Sequence, residues 1–235
     1  MNVNQKASPM EIPLKHGPLP VFAVTGIDTE IGKTMVSSLL VAGLGVAYFK
    51  LVQAGRPEDR DKILERVPGA EVHPNGLTLG LAASPHQGLE EEGRTSTFRA
   101  LDVPLPFESD GLVELAGGVF CPLDEGGFMI DYLEAKRLPV VVAAKAYLGS
   151  INHTMLTLEA LRRRGIPVLA VVVSGEDAYL ADFLRVNTKE RILAVPFIDE
   201  IAPEGRERFN EAAGRVAAEL LETRVFEMQE HLQGC

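Results

Sequence analysis

The sequence predicts an α/β fold in which a mostly parallel, doubly wound sheet carries helices on both faces. Strand-like runs of branched apolar residues alternate with helical patterns along the whole chain, and parallel strands need such crossover helices. Two of these runs, PVVVAA at 139–144 and PVLAVVV at 167–173, are apolar throughout, which is typical of strands covered on both faces. A glycine-rich turn at 26–34 joins the first strand to the first helix, as in P-loop nucleotide-binding domains.

Length and composition favour a single P-loop α/β domain over 19–235, preceded by a flexible N-terminal segment at 1–18. No linker separates two apolar blocks, and the hydrophobic and charged fractions, 46% and 24%, are ordinary for a globular protein. The N-terminal segment has no apolar core. We therefore expect neither a signal peptide nor a membrane span.

Charge and cysteine content narrow the class of function. The formal net charge of -10 argues against a nucleic-acid surface, because a phosphate backbone requires clustered lysine and arginine. The two cysteines, Cys121 and Cys235, are too few for a disulfide framework or a metal knuckle. We expect a cytoplasmic protein without nucleic-acid or membrane partners.

The first elements follow from local patterns. The apolar run at 20–24 predicts the first strand, and 35–44, apolar at most positions, predicts a buried helix. Gly43 and Gly45 end that helix. The aromatic and branched run at 46–52 predicts the second strand.

The chain between the second and third strands is less regular. A short charged helix is expected at 57–67. Between 71 and 94, frequent proline and glycine predict mostly loop, with a helical turn near 79–83. GLVEL at 111–115 predicts the third strand.

The second half of the chain completes the alternation. Ser150 is a favourable N-cap for one of its helices. The predicted elements are a helix at 128–137, a strand at 139–144, a helix at 150–163, a strand at 167–173, a helix at 178–184, a strand at 191–195 and a long helix at 206–232. The last helix mixes glutamate with arginine and so lacks the basic face of a membrane-binding helix.

The turn GIDTEIGKT, from Gly26 to Thr34, predicts phosphate binding. Successive backbone N–H groups in such a turn point at an anion, and the following helix N-terminus adds partial positive charge. Lys33 would reach the outer phosphates, and the Thr34 hydroxyl would hold Mg2+. Five residues, rather than the usual four, separate Gly26 from Gly32. The alternative is an ordinary glycine turn, but strand, turn and helix fall where the motif needs them.

Two charged residues lie within predicted strands. Lys50 interrupts an apolar run, which is costly unless its ammonium points into a polar site; the alternative is an edge-strand lysine that reaches water. Glu114 is predicted at the carboxyl end of the third strand, before a glycine turn at 116–118. Ligands of open α/β sheets bind at such ends, although a surface charge is the alternative for Glu114.

Three oxygen ligands suggest one Mg2+ site: Thr34 from the loop, Asp61 after the second strand, and Glu114. This set suits Mg2+, which takes few protein oxygens together with phosphate and water. Asp59 is a rival to Asp61 for this role.

The predicted catalytic mechanism is electrostatic: positively charged groups are held beside the phosphate that is transferred. Lys33 and Lys50 would face the transferring phosphate and stabilise the charge on its oxygens. No Ser/His/Asp or Cys/His arrangement is evident, and the five histidines are scattered along the sequence.

Five blocks of the sequence match the motifs of one enzyme family. GIDTEIGKT resembles Gly-Thr-Asp-Thr-Glu-Val-Gly-Lys-Thr, including the additional residue, and FKLVQAG at 49–55 resembles Lys-Pro-Val-x-x-Gly. VELAGG at 113–118 resembles Val-Glu-Gly-Ala-Gly-Gly, SPH at 84–86 resembles Ser-Pro-His, and LGSINHTMLT at 148–157 resembles Leu-Gly-x-Ile-Asn-His. Jointly these blocks make the chain similar to dethiobiotin synthetases over nearly its full length.

The resemblance implies an ATP-dependent cyclo-ligase of biotin biosynthesis that uses Mg2+. Its substrates would be 7,8-diaminopelargonate, CO2 or bicarbonate, and ATP; a carbamate forms, is phosphorylated, and closes to the ureido ring. Lys50 and Lys33 would be the catalytic residues. The resemblance also implies a homodimer that holds the substrate's carboxylate tail across its interface. The implied substrate-binding residues are Thr29, Lys50, Ala54, Gly149, Ser150, Ile151 and Asn152.

The nucleotide would contact the loop and the ends of three later strands. The implied nucleotide-binding residues are Gly26, Glu30, Ile31, Gly32, Lys33, Thr34, Met35, Asp61, Glu114, Leu115, Ala116, Gly117, Ser174, Gly175, Pro196, Phe197 and Ile198. Some of these depart from the family pattern. Leu115 replaces a glycine, which would narrow backbone access to the phosphates or shift Glu114, and Ser174 replaces an asparagine that reads adenine. Leu51 replaces a proline, and Ala54 lacks the hydroxyl that some members present to substrate.

Two other functions are compatible with the P-loop. One is a related ATPase, such as a partitioning ATPase or a cobyrinate-type amidoligase; the partitioning type needs an additional lysine early in its loop, and 26–31 contains none. The other is a nucleotide-binding scaffold that has lost catalysis. Lys50 argues against a scaffold, which has no need of a buried strand lysine aimed at phosphate.

Overall fold

The computed structural model describes residue 14 and residues 16–96, 99–175, 178–198 and 204–222. Strands and helices alternate along them, as predicted. The strands are β1 (Phe22–Gly26), β2 (Ala47–Lys50), β3 (Val52–Ala54), β4 (Leu77–Leu79), β5 (Gly111–Gly118), β6 (Val140–Lys145), β7 (Val168–Ser174) and β8 (Ile192–Val195). The helices are α1 (Lys33–Leu44), α2 (Asp59–Arg66), α3 (Pro85–Glu91), α4 (Met129–Ala135), α5 (Ser150–Arg163), α6 (Ala178–Asn187) and α7 (Gly205–Leu221).

The main sheet has six strands in the order β2-β5-β1-β6-β7-β8, and all its pairings are parallel. The predicted fold class is confirmed. Strands β2 and β5 lie on one side of β1, and β6 to β8 lie on the other. The loops that follow all these strands open at one edge of the sheet, where ligands of open α/β sheets bind.

The register of β2 against β5 places two predicted site residues opposite each other. Lys50 pairs with Glu114 across these strands. Tyr48 precedes Lys50 by two positions and so projects to the same face of the sheet. Glu114 lies in the middle of β5, which corrects the prediction that it ends a strand: the strand continues through the glycines at 117 and 118.

The run at 46–52, predicted as one strand, forms parts of two sheets. β2 ends at Lys50, and β3 pairs in parallel with β4 in a second, two-stranded sheet. Leu51 lies between them and is fully buried. Its N–H donates to the Glu114 carbonyl at 3.1 Å, and its carbonyl accepts from the Leu77 N–H at 3.0 Å. Leu51 is therefore hydrogen-bonded to both sheets. Because it is buried where the chain passes from one sheet to the other, the apolar pattern continues without a break.

The proline and glycine content of 71–94 predicts mostly loop, but the segment contains β4 and α3. The residues at 79–83 form no helical turn: β4 ends at Leu79, and α3 begins at Pro85. Proline suits the first turn of a helix because an N–H there would have no intrahelical partner. Gly88 in α3 packs so closely that an added Cβ would lie 2.9 Å from Leu79 Cδ1. This segment is ordered by the pairing of β4 with β3 and by the packing of α3 against Leu79.

Helix α1 packs against α7 through small residues. A Cβ added at Gly43 of α1 would lie 2.3 Å from the Ala213 carbonyl oxygen and 2.7 Å from Ala217 Cβ. Gly43 thus allows a close approach of the two backbones. The contact fixes the helix whose first turn carries Lys33 and Thr34.

Some predictions fall on parts of the chain outside the described residues. These are most of the N-terminal segment at 1–18 and the last predicted helix beyond Glu222. Within the described ranges, no helix combines the length and the apolar character that crossing a membrane requires.

Candidate active site

The loop after β1 has the geometry of an anion-binding turn. Gly26 has no room for a side chain, because an added Cβ would lie 2.9 Å from the Asp28 carbonyl oxygen. Glu30 and Gly32 have φ angles of 55° and 88°, in the left-handed region. These two left-handed residues accommodate the longer spacer before the helix starts.

The first turn of α1 faces out of this loop. Its first intrahelical hydrogen bond runs from the Val36 N–H to the Gly32 carbonyl at 3.0 Å. The preceding N–H groups have no carbonyl one turn earlier in the helix, and such groups bind anions. They belong to Lys33, Thr34 and Met35.

Lys33 is buried at the start of α1, with 8% of its surface exposed. Its ammonium donates to the Asp28 carbonyl at 2.9 Å. Burial, together with the nearby Lys50 ammonium, lowers the pKa of Lys33 to about 8. A phosphate group would relieve both effects, so the position favours an anionic ligand.

A buried ion-pair cluster lies beside the loop. The Lys50 ammonium is 2.7 Å from both Asp59 Oδ2 and Glu114 Oε1. Burial alone would lower the pKa of Lys50, but Glu114 and Asp59 raise it above its usual value. Burial likewise opposes ionisation of Asp59, yet Lys50 holds the pKa of Asp59 below its usual value. These shifts keep Lys50 and Asp59 charged, and Lys62 contacts the other oxygen of Asp59 at 3.2 Å.

Both carboxylate oxygens of Glu114 accept hydrogen bonds. Oε1 accepts from Thr34 Oγ1 at 3.0 Å and from Lys50 Nζ at 2.7 Å, and Oε2 accepts from the Tyr48 hydroxyl at 3.2 Å. Burial and the Glu114 charge raise the pKa of Tyr48 well above 10. Tyr48 is thus a neutral donor to a carboxylate whose exposed fraction is 0%.

A cavity of about 710 Å³ joins the loop to this cluster. It extends over the loop, α1, the β2–β3 connection, α2, the start of α3 and the end of β5. The lining residues that the sequence predicted are Thr29, Glu30, Gly32, Lys33, Thr34, Met35, Lys50, Ala54, Glu114, Ala116 and Gly117. The additional lining residues are Val52, Gln53, Asp59, Lys62, Arg66, Ala82, Ala83, Ser84, Pro85 and Cys121.

The structure places Asp59, rather than the predicted Asp61, at the cavity. Asp59 lines the cavity and contacts Lys50, whereas Asp61 is exposed and is not among the residues that line the cavity. Two positions along a helix differ by roughly 200°, so the two carboxylates point to nearly opposite sides. Gln53 determines which side of α2 faces the cavity, because its Oε1 accepts a hydrogen bond from the Asp59 N–H at 2.9 Å.

Leu115 does not narrow the cavity. Its side chain is fully buried in the core, and it projects to the opposite face of β5 from Glu114. The Leu115 carbonyl lies 3.5 Å from the Lys50 ammonium.

The remaining predicted nucleotide contacts lie outside the cavity lining. Ser174 ends β7, and its hydroxyl is 3.4 Å from the carbonyl oxygen of Ile31 in the loop. After β8 the chain exposes 59% of Phe197 and buries Ile198. Gly175 and Pro196 lie directly beyond the same strand ends. These residues form a rim at the carboxyl ends of β7 and β8.

The predicted tail-binding segment is the start of α5. Gly149 precedes the helix with a φ of 100°, and Ser150 is the first helical residue rather than the predicted N-cap. The nearby Tyr147 hydroxyl lies 3.4 Å from Asp28 Oδ2, which ties this segment to the loop. The segment, with Ile151 and Asn152, does not line the cavity.

Sequence reasoning missed Tyr48 and Gln53 as site residues. Tyr48 carries a usable signal, because it lies two positions before Lys50 in the same predicted strand and must share its face. Gln53 carries none, since its role depends on the turn that brings α2 back over β3.

Thr34, Glu114 and Asp59 fit a Mg2+ ion. Glu114 and Asp59 already contact one cation, the Lys50 ammonium, and the Thr34 hydroxyl is hydrogen-bonded to the same Glu114 oxygen. No group of three or more histidine, cysteine or acidic residues that would hold a metal occurs in the described part of the chain. Mg2+ would therefore need oxygens from phosphate and water in addition, which is its usual preference.

Comparison with known proteins relates the chain to one enzyme family. A family model described as an AAA domain matches residues 21–205. The chain is 42% identical over 178 residues to the ATP-dependent dethiobiotin synthetase BioD of Campylobacter jejuni, covering 75% of this chain and 88% of that protein. The protein of the same name from Brucella ovis is 39% identical over 191 residues, covering 77% of this chain and 88% of that protein.

Among solved structures, the chain resembles a plasmid partition protein of Borrelia burgdorferi bound to AMPPNP. The TM-score is 0.50, with 11% identity over 83% of this chain and 98% of that one. At such low identity the likeness concerns the fold alone, which is that of a P-loop α/β protein.

Proposed function

The chain belongs to the ATP-dependent dethiobiotin synthetase family, and from that membership we propose that it converts 7,8-diaminopelargonate, CO2 and ATP to dethiobiotin, ADP and phosphate. One observation carries the proposal. The buried Lys50 ammonium lies between Glu114 and Asp59 in the same cavity as the phosphate-binding loop. A cation so placed serves a reaction at the phosphate and not nucleotide binding alone.

The proposed reaction has three steps. An amine nitrogen of the substrate bonds to the carbon of CO2 and loses a proton, giving a carbamate. A carbamate oxygen attacks the γ-phosphorus of ATP, whose bond to ADP breaks. The second amine then attacks the carbamate carbon and loses a proton, and phosphate leaves as the ring closes. Thr29 and Ala54 line the same cavity as Lys33 and Lys50, so the acceptor and the phosphate would be held side by side.

The two lysines have separate tasks in this proposal. Lys33, at the start of α1, would contact the outer phosphates of ATP. Lys50, at the end of β2, would stabilise the carbamate and its mixed anhydride. Fixed cations in a site that excludes water stabilise developing negative charge without having to reorganise.

Thr34, Glu114 and Asp59 would hold Mg2+ together with the nucleotide. When bound, the ion would shield the charge of the phosphate oxygens from the attacking carbamate. Asp59 replaces Asp61 in this set because Asp59 is the carboxylate at the cavity.

Phosphate release with ATP and Mg2+ tests the proposed function. We expect release to require both diaminopelargonate and bicarbonate, and isotopic carbon from bicarbonate to appear in dethiobiotin by mass spectrometry. Release that ignores both co-substrates would contradict the proposal and favour a simple ATPase. Binding of ATP without any release would favour a scaffold.

ADP affinity is expected to fall as the pH rises above about 8, the pKa of Lys33. The groups that act on this lysine are Lys50, Glu114, Asp59 and Cys121. Bound phosphate would keep Lys33 protonated, so binding at high pH takes up a proton and weakens by up to about tenfold per pH unit. Calorimetric titration with ADP between pH 7 and 9.5 measures this effect. In Lys33→Met the slope should disappear; a flat profile in the unaltered protein would rule out the assignment.

We also propose a homodimer formed through α5, with the partner's α5 start completing each site. An exposed apolar surface supports it: Leu148 is 102% exposed, Leu156 is 59% exposed, and Tyr147 and Met155 are each 36% exposed. Met155 and Leu156 are adjacent on α5, and Tyr147 and Leu148 lie directly before the helix start. Tyr147 connects this surface to the phosphate-binding loop through Asp28.

Leu156→Arg is expected to convert the dimer to a monomer, because a charge would be buried at the apolar interface. Light scattering after size-exclusion chromatography measures the mass, and the diaminopelargonate KM should rise in the same variant. Val186→Arg is the control, since Val186 is 83% exposed on α6. A monomeric unaltered protein, or a Leu156→Arg variant that stays dimeric, would refute this interface.

A further inference from the structure

We propose that Tyr48 is a positioning residue for Glu114, holding one carboxylate oxygen so that the other is presented to Thr34, Lys50 and the metal. The hydroxyl donates to Oε2 at 3.2 Å, while Oε1 receives Thr34 at 3.0 Å and Lys50 at 2.7 Å. The inference relies on the proposed function for the identity of the ion. Its geometry is independent of the reaction.

The sheet explains how Tyr48 reaches this oxygen. Tyr48 pairs with Leu112 and Lys50 pairs with Glu114 in the parallel register of β2 and β5. Tyr48 and Lys50 therefore lie on one face, roughly 6.6 Å apart along the strand. The two side chains contact the Glu114 carboxylate from different directions and so fix the rotation of its plane.

Tyr48 does not itself line the cavity. Its exposed fraction is 0%, and it is absent from the residues that line the cavity. A buried tyrosine hydroxyl usually has a hydrogen-bond partner, so the inference depends on which partner Tyr48 has. The Tyr48 hydroxyl donates to Glu114. This carboxylate contacts both Thr34 of the loop and Lys50, and it is one of the proposed metal ligands. Groups that hydrogen-bond to metal ligands in this way fix their orientation, and their loss commonly weakens metal binding.

The chain contains a matched control in Tyr132. This tyrosine is also fully buried, but its hydroxyl has no hydrogen-bond partner among the described residues. Tyr48→Phe and Tyr132→Phe therefore remove the same atom from two equally buried rings. Only the first removes a contact to the site.

The test is Mg2+ titration of the ADP-loaded protein by calorimetry, with Mn2+ paramagnetic resonance as a second readout. Tyr48→Phe is expected to weaken Mg2+ binding about tenfold, while Tyr132→Phe leaves it unchanged. Circular dichroism melting of both variants reports any general loss of structure. In steady-state assays, the Mg2+ concentration for half-maximal rate should rise in parallel with the measured dissociation constant.

The outcomes separate the two proposals. Equal Mg2+ affinity in the unaltered and Tyr48→Phe proteins overturns the positioning role and leaves the proposed reaction intact. An equal loss in Tyr48→Phe and Tyr132→Phe also overturns it, because the effect would then be structural. Absence of Mg2+ binding in the unaltered, ADP-loaded protein overturns both. If Tyr48 acts through Glu114, then Tyr48→Phe should have no further effect on Mg2+ binding in a Glu114→Gln background.

Discussion

Lys50→Met is expected to lower the turnover number by at least about 100-fold, the usual effect of removing one preorganised group that stabilises transition-state charge. The side chain keeps most of its length but loses the ammonium that contacts Glu114 and Asp59 at 2.7 Å. Affinity for the ATP–Mg2+ complex should remain largely intact, because Lys33 and the loop N–H groups hold the phosphates. Dethiobiotin formation and AMPPNP binding measure the two quantities separately.

Lys62→Met is the control for this variant. Lys62 also contacts Asp59, at 3.2 Å, but its side chain is 39% exposed, so its loss should reduce turnover far less. Removing Lys50 also leaves the buried Glu114 carboxylate without its cation, and breaking a buried pair in this way costs about 3–5 kcal/mol of folding stability. Thermal melting at saturating ATP–Mg2+ checks that the protein remains folded. Turnover of Lys50→Met near that of the unaltered protein would remove Lys50 from the catalytic residues.

Gly43→Ala is expected to destabilise the fold by about 1–3 kcal/mol, the range for overpacking a well-packed core. The new Cβ would lie 2.3 Å from the Ala213 carbonyl oxygen and 3.0 Å from its carbon. Both are backbone atoms of α7, so relief requires moving one helix away from the other. For a chain of this size, each kcal/mol lowers the melting temperature by about 2–4 °C.

Gly214→Ala provides a matched comparison within the same pair of helices. Gly214 lies within α7, and an added Cβ there meets nothing within 4 Å. Alanine should stabilise this position by up to about 1 kcal/mol, because it is the better helix former. Opposite shifts of melting temperature are therefore expected from the same substitution. A stabilising Gly43→Ala would show that the α1–α7 contact is looser than the structure indicates.

The residues of the main site could be predicted from sequence because each belongs to a recognisable local pattern. Lys50 and Glu114 are charges inside apolar strands, and Lys33 and Thr34 follow a glycine turn at the start of a helix. Their mutual geometry could not be predicted, because the 2.7 Å contact of Lys50 with Glu114 depends on the register of two strands far apart in sequence.

The structure departs from the sequence-based expectations where distant contacts decide local structure. Asp59 and Asp61 both lie in the first turn of α2, and sequence alone does not say which one faces the sheet. The Gln53 side chain decides it by accepting the Asp59 N–H. In the same way, β4 and α3 have weak patterns of their own and are ordered by pairing with β3 and by the contact of Gly88 with Leu79.

The change of sheet at Leu51 divides the active site into two parts with different freedom to change in evolution. The main sheet holds Lys50 and Glu114 and cannot vary without losing the charge cluster. The small sheet and α3 supply Ala54, Ser84 and Pro85 to one wall of the cavity, and Leu51 connects β3 to the main sheet. Substitutions in this wall would alter which acceptor is bound while the phosphoryl-transfer residues stay in place. Selection for a new acceptor would therefore act first on the small sheet.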